Sequence, residues 1–270
     1  MIHSPRVGFI GAGNMARALA VGFSKSGMVA PTSMMASDPV PASRDQFTTE
    51  TGSPTTVANE EVVAESKYVF LCTKPQILPA IMPSIRPADD SGQVYVSIAA
   101  GVSLATLEQG LGTRQIIRVM PNTPCLVQQG ASAYAPTDEV TEEDCGFVER
   151  LLACVGLSIR VPENQLDAVT GLSGSGPAYI FQIIEGLSDG GVQAGLPRDA
   201  ATQLAAHTML GAVQLFLQSG KHPGELKDMV ASPGGTTIAG IAELERHGLR
   251  SALIDAVVAA TERSKELGKQ

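Results

Sequence analysis

A strand that runs into a glycine turn and then a helix, close to the start of the sequence, restricts the possible folds more than any other feature. Val7-Gly8-Phe9-Ile10 is a short apolar run, Gly11-Ala12-Gly13 follows it, and Asn14-Met15-Ala16 opens an amphipathic stretch. The spacing is G-x-G-x-x-A. The first glycine allows a tight turn, the second a close backbone approach, and Ala16 is small enough for helix and strand to pack tightly. Such a pattern is weak evidence alone, but a preceding strand and a following helix supply its context. A dinucleotide pyrophosphate would then rest on the N–H groups of Ala12, Gly13, Asn14 and Met15. The alternative is a glycine turn that holds no ligand.

Short β-branched or aromatic runs alternate with helical patterns over roughly the first 160 residues. Val7–Ile10, Ser33–Ser37, Tyr68–Cys72, Val94–Ile98 and Gln115–Val119 read as strands apolar on both faces, as in a covered parallel sheet. Met15–Ser26 and Ile77–Ile85 read as helices between them. Alternation of this kind implies right-handed crossovers and a doubly wound sheet. After Leu157–Val161 the strand signal stops and the chain turns rich in Ala, Leu, Gln and Glu at helical period. Breaks fall at Gly195-Leu196-Pro197, with Pro197 expected in a helix's first turn, and at Ser232–Gly235. The expected fold is α/β. A Rossmann-type doubly wound parallel sheet spans residues 1–162, and an all-α domain spans 163–270, joined by a packed elbow near Pro162.

With 44% hydrophobic and 17% charged residues, the chain can bury a sizeable core. A net charge of -8 argues against nucleic acid and anionic membrane surfaces as partners. Cys72, Cys125, Cys145 and Cys154 show no C-x-x-C spacing and read as free thiols in a reducing compartment. The four histidines are scattered, so no metal site is expected. The early first strand leaves no room for a leader, and no apolar run approaches the ~20 residues of a membrane span. The expectation is a soluble, cytoplasmic protein.

Ligands of doubly wound sheets bind at the carboxyl ends of the strands. Asp38 ends the second strand, where an acid typically holds the adenine ribose diol and would repel the 2′-phosphate of NADPH. Ser37 as a donor to that phosphate, with Arg44 nearby, keeps NADPH open alongside NADH. Asp38 before Pro39 is equally a turn former. Thr73-Lys74-Pro75 marks another strand end, with Lys74 either at the cofactor edge or simply in solvent. Small residues at Ala99-Ala100-Gly101 would let a nicotinamide lie flat, and Asn122 would bond its amide.

Ser232-Pro233-Gly234-Gly235-Thr236-Thr237 speaks to a second ligand. Pro-Gly-Gly ends one helix, and Thr236-Thr237-Ile238 opens the next. Free N–H groups at a helix start form an anion site, and glycine admits a ligand close to the backbone. A plain N-cap and tight turn is the competing reading.

With these segments in hand, the chain resembles the pyrroline-5-carboxylate reductase family from the glycine motif to the last helix. Gly8–Met15, Lys74-Pro75, Ala99–Gly101, Pro121-Asn122-Thr123-Pro124, Asp167–Tyr179 and Ser232–Thr237 follow the family's order, and Leu226-Lys227-Asp228 is nearest to eukaryotic members. The resemblance implies reduction of 1-pyrroline-5-carboxylate to L-proline by NADH or NADPH, the last step of proline biosynthesis. It also implies a homodimer made by the helical domains and built into a decamer. Thr237 is the implied catalytic contact to the ring nitrogen, with Ser232, Gly235 and Thr236 around the carboxylate and Glu163 as a further substrate candidate. The candidate cofactor set is Ile10, Gly11, Ala12, Gly13, Asn14, Met15, Ser37, Asp38, Asn59, Cys72, Thr73, Lys74, Pro75, Ala99, Ala100 and Asn122. Family members often carry asparagine or serine near the 2′-phosphate, where this chain has Asp38. The glycines of Gly171–Tyr179 are expected to allow close domain packing rather than to line the cleft.

Two other readings compete. β-Hydroxyacid dehydrogenases carry a lysine four residues past a Gly-x-Gly turn, where this chain has Ile180 after Gly176, and no base for a hydroxyl proton is evident. A non-catalytic dinucleotide-binding redox sensor would be free to lose the hydroxyls and glycines that Ser232–Thr237 keeps.

Overall fold

Runs of four residues, buried on both faces, form the centre of one eight-stranded sheet in the computed structural model, which describes residues 6–88 and 92–268. The strands are β1 (Val7–Ile10), β2 (Met34–Ser37), β3 (Thr55–Thr56), β4 (Tyr68–Leu71), β5 (Val94–Ser97), β6 (Ile116–Met120), β7 (Gly130–Pro136) and β8 (Gly156–Arg160). Their order is β3-β2-β1-β4-β5-β6-β7-β8. The first six are parallel, as the alternating pattern requires; β7 pairs antiparallel to β6, and β8 runs parallel to β7. The doubly wound core therefore carries a reversed pair at one edge, a common form of mixed sheet.

Helices α1 (Asn14–Lys25), α2 (Pro41–Thr51), α3 (Asn59–Glu65), α4 (Leu78–Ile81), α5 (Leu104–Leu111), α6 (Glu142–Ala153) and α7 (Leu166–Val169) belong to the sheet-bearing part. Side chains alternate across the sheet with period two. Phe9 and Phe70 fall on one face with Phe23 and Phe47, their neighbouring rings 5.4–6.2 Å apart. Ile10, Val69 and Leu71 fall on the other face with Tyr95, Leu107 and Ile116. The helix expected over 77–85 is shorter. Only Leu78–Ile81 is α-helical, and Met82–Ile85 tightens to a 3-10 turn at Pro83, which has no N–H to continue the ladder.

Contacts divide the chain into two compact units. The first runs to Ser175 and takes in the last residues from Ala259; the second is Gly176–Val258. Residues 163–175, set beyond the elbow by sequence, belong by contact to the first unit. Leu166 is buried with Ala133 and Ala135 of β7, and Gly174 passes so close to Met120 that an added Cβ would stand 2.7 Å from its Cε.

The second unit consists of α8 (Gly176–Gln193), α9 (Arg198–Ser219), α10 (Pro223–Val230), α11 (Thr236–Arg246) and most of α12 (Leu249–Leu267). Pro197 is the residue that caps α9, one place earlier than expected. Gly191 of α8 meets Ala201 of α9, where a Cβ would come within 3.0 Å of the alanine methyl. Few side chains of this unit are buried, and large apolar ones such as Phe181 and Leu217 are 66% and 72% exposed.

Candidate functional site

Because β1, β2, β4, β5 and β6 are parallel, their carboxyl ends share one edge of the sheet. The winding reverses between β1 and β4, the switch point where such sheets open a crevice. Gly11 occupies that point with φ +98°, and a Cβ there would lie 3.0 Å from the Cys72 carbonyl oxygen. Both facts require glycine. At Gly13 a Cβ would meet nothing within 4 Å, so the backbone here faces open space. No side chain caps α1, and no acid stands in its first turn. Beside the turn, the Thr73 hydroxyl is buried without a hydrogen-bond partner. An uncapped helix start, an open glycine and an orphaned hydroxyl fit the diphosphate of a dinucleotide.

Asp38 changes one expectation about that cradle. Its Oδ2 accepts the Ala12 N–H at 2.9 Å, and its Oδ1 accepts the Val40 N–H, also at 2.9 Å. The Ala12 amide is therefore withdrawn from the pyrophosphate set, leaving Gly13, Asn14 and Met15. Ser37 is corrected likewise: it is fully buried, and its hydroxyl donates to Asn59 Oδ1 at 2.7 Å, so no proton is left for a phosphate. Arg44 donates to the Asp38 carbonyl at 2.7 Å.

Sequence reading missed Arg17. Its guanidinium donates to the Ala12 carbonyl and to Asn14 Oδ1 at 2.6 Å while pairing with Glu50 at 3.2 Å, which braces the glycine turn from behind. The i, i+3 spacing from Asn14 was the available signal.

The side chains of Ile10 and Ala99 lie in the core, so neither presents its side chain to a ligand. The Ile10 carbonyl accepts the Cys72 N–H at 2.8 Å. Desolvation pushes the Cys72 thiol up, which keeps it protonated and unreactive. Thr73 and Pro75 are half-buried at the edge, while Lys74 and Ala100 are exposed there. Asn122 is held within the first unit: its Nδ2 donates to the Ser173 carbonyl at 3.0 Å, and its Oδ1 accepts the Ala131 N–H at 2.8 Å. It clamps β7 to the segment before α8.

In the helical unit, α10 ends at Val230, and the chain turns through Gly234 at φ +68° into Gly235, the N-cap of α11. A Cβ added at Gly235 would come within 2.3 Å of the Ser232 hydroxyl, which would have to turn away to admit it. No side chain caps α11, and its first turn holds no acid. The Gly235 N–H donates to the Ser232 carbonyl at 3.0 Å, which removes it from the expected anion set and leaves those of Thr236 and Thr237. Thr236 is exposed and Thr237 half-buried. This helix start offers free N–H groups flanked by hydroxyls, the chemistry of an anion site.

Glu163 is engaged within the first unit. Its Oε1 accepts the Leu104 N–H at 2.7 Å and pairs with Arg118 at 3.1 Å, tying the start of α5 to β6 within the first unit. Among the described residues, no cluster of His, Cys, Asp or Glu is arranged to hold a metal ion.

A pyrroline-5-carboxylate reductase from Methanosarcina acetivorans is 45% identical over the whole of both chains. The chain belongs to the pyrroline-5-carboxylate reductase family. A pyrroline-5-carboxylate reductase from Pisum sativum is 46% identical over 97% of this chain and 95% of its own. The family model for pyrroline-5-carboxylate reductase dimerisation matches residues 163–267, and one for coenzyme F420-dependent NADP oxidoreductases matches 6–101. Among solved structures, the reductase of Coxiella burnetii superposes with a TM-score of 0.91 at 34% identity, covering 99% of this chain and 100% of that one. The Plasmodium falciparum enzyme, solved with NADP bound, gives 0.89 at 31% identity with the same coverage.

Proposed function

We propose that this chain reduces 1-pyrroline-5-carboxylate to L-proline with NADH or NADPH as hydride donor, the last step of proline biosynthesis. The observation that carries the reading is the uncapped, acid-free start of α11 with its paired threonines, in a member of this family. The substrate is a cyclic imine bearing a carboxylate. The N–H groups of Thr236 and Thr237 hold the carboxylate, and the Ser232 hydroxyl fixes the turn against Gly235. Thr237 Oγ hydrogen-bonds the ring nitrogen and orients the ring.

The Gly13, Asn14 and Met15 amides would hold the diphosphate of the dinucleotide, whose reduced nicotinamide would supply the hydride. Hydride addition to the carbon of a protonated imine leaves a neutral amine, so no protein group must give up a proton in that step. This suits a site of hydroxyls and backbone amides, which contribute orientation and electrostatics.

The helical region from residue 163 onward serves as the dimerisation domain, supported by the matched family model and by the exposed apolar side chains of α8 and α9. The family likeness supports assembly of such dimers into a decamer. Among the described residues no helix is long and apolar enough to cross a membrane, and the four cysteines are free thiols, which supports a reducing, cytoplasmic setting.

The test is the initial rate of NADH and of NADPH oxidation with pyrroline-5-carboxylate, with proline measured as product. Cofactor consumption with proline formed is expected. Folded protein that binds dinucleotide yet consumes neither would instead be a redox sensor.

A further inference from the structure

The geometry points to NADH as the preferred coenzyme, with Asp38 as the residue that discriminates against a 2′-phosphate. This rests on the reductase reading only in its choice of nicotinamide donor. Three observations converge at the end of β2. The Asp38 carboxylate is held from both sides, Oδ2 by the Ala12 N–H and Oδ1 by the Val40 N–H, each at 2.9 Å. Each oxygen keeps a free lone pair, so the group can still accept both hydroxyls of a ribose diol. Pinned between the glycine turn and the start of α2, it cannot swing aside to admit a phosphate without releasing two backbone amides.

The serine hydroxyl that a phosphate would use at this corner is already taken. Ser37 is fully buried and its hydroxyl bonds Asn59, so it stabilises the edge rather than offering a proton. Arg17 is held by Glu50 and Asn14, and Arg44 gives one of its five N–H groups to the Asp38 carbonyl at 2.7 Å, so its charge faces the fixed carboxylate's own residue. A 2′-phosphate would bring its negative charge against a fixed carboxylate, and like charges at contact distance repel strongly away from bulk water.

The test is calorimetric titration of the full-length protein with NADH and with NADPH separately, for wild type, Asp38→Asn and Asp38→Ser. Wild type is expected to bind NADH at least ~10-fold more tightly. Asp38→Asn, which keeps an acceptor for one amide, should narrow that ratio, and Asp38→Ser should narrow it further. Wild type that binds NADPH equally well or better overturns the inference, and so does a ratio unmoved by both substitutions. If Asp38→Ser does not fold, competition of adenosine 2′,5′-bisphosphate against 5′-AMP on wild type decides the same point. Because the readout is binding, a protein that prefers NADH but leaves pyrroline-5-carboxylate unreduced would sink the reductase reading alone. An active reductase that prefers NADPH would sink this inference alone.

Discussion

Thr237 stands second in α11, half-buried, with its amide among the first N–H groups of the helix. Removing one well-placed polar contact from a transition state lowers kcat/KM by roughly 10–10³-fold, and that is the expected result for Thr237→Ala. Unchanged kinetics in a folded variant would take the role away from Thr237. The two glycines of the turn make a sharper pair. Gly11→Ala forces an alanine to φ +98° and onto the Cys72 carbonyl, so it should destabilise the fold by about 1–3 kcal/mol. Gly13→Ala meets nothing in the protein and should leave the melting temperature unchanged while weakening dinucleotide binding by calorimetry. Equal melting losses in both variants would mean that Gly13 is structural. The glycine pattern was legible because backbone needs write themselves into glycine. The fates of Ala12, Ser37 and Asn122 were not, because each depends on partners far along the chain: Asp38, Asn59, and Ala131 with Ser173.

Between elements, a hydrogen-bonded latch joins the start of β4 to α6. Thr141 caps α6 by accepting the Asp144 N–H at 3.1 Å and donates back to Asp144 Oδ2 at 2.8 Å. Tyr68 donates to the other oxygen at 2.8 Å, and Lys67 lies 3.4 Å away. Burial alone would raise the Asp144 carboxyl, but the hydrogen bonds from Thr141 and Tyr68 and the charge of Lys67 together hold it below its ordinary value. A depressed carboxyl stabilises the fold above the unfolded value near pH 4, and that contribution disappears as the pH falls through the lower folded value. Asp144→Asn should therefore cost about 1–3 kcal/mol at neutral pH, with the gap to wild type narrowing in urea denaturation as the pH falls below the unfolded value near 4. A gap that does not change with pH would assign the loss to packing. The central strands could be read because Val, Ile, Phe and Tyr cluster in them. β7 could not: Gly-Ala-Ser-Ala-Tyr-Ala-Pro has no β-branched residue, and its place is set by Ile117 and Val119 across the ladder.

At the scale of the molecule, the helical unit exposes Phe181, Leu187, Leu210, Val213 and Leu217, far more apolar surface than a lone helical domain keeps in water. Light scattering after size exclusion should give a mass of at least two chains, and Phe181→Glu should shift it toward one. A monomeric wild type at micromolar concentration would contradict the dimerisation role. The two-part organisation was visible in the switch from strand to helix period. That the last helix is shared between the units was not, because nothing local in α12 announces its partners. Ser264 near its end donates to Asp167 at 2.7 Å, and the backbone at Gly268 lies against Gly101. The helical unit is thus an insertion within the unit that holds the nucleotide. On the ribosome, the sheet can emerge and pair early, yet it lacks its final buttress until the whole helical unit has been synthesised. The nucleotide-binding part is begun first and finished last.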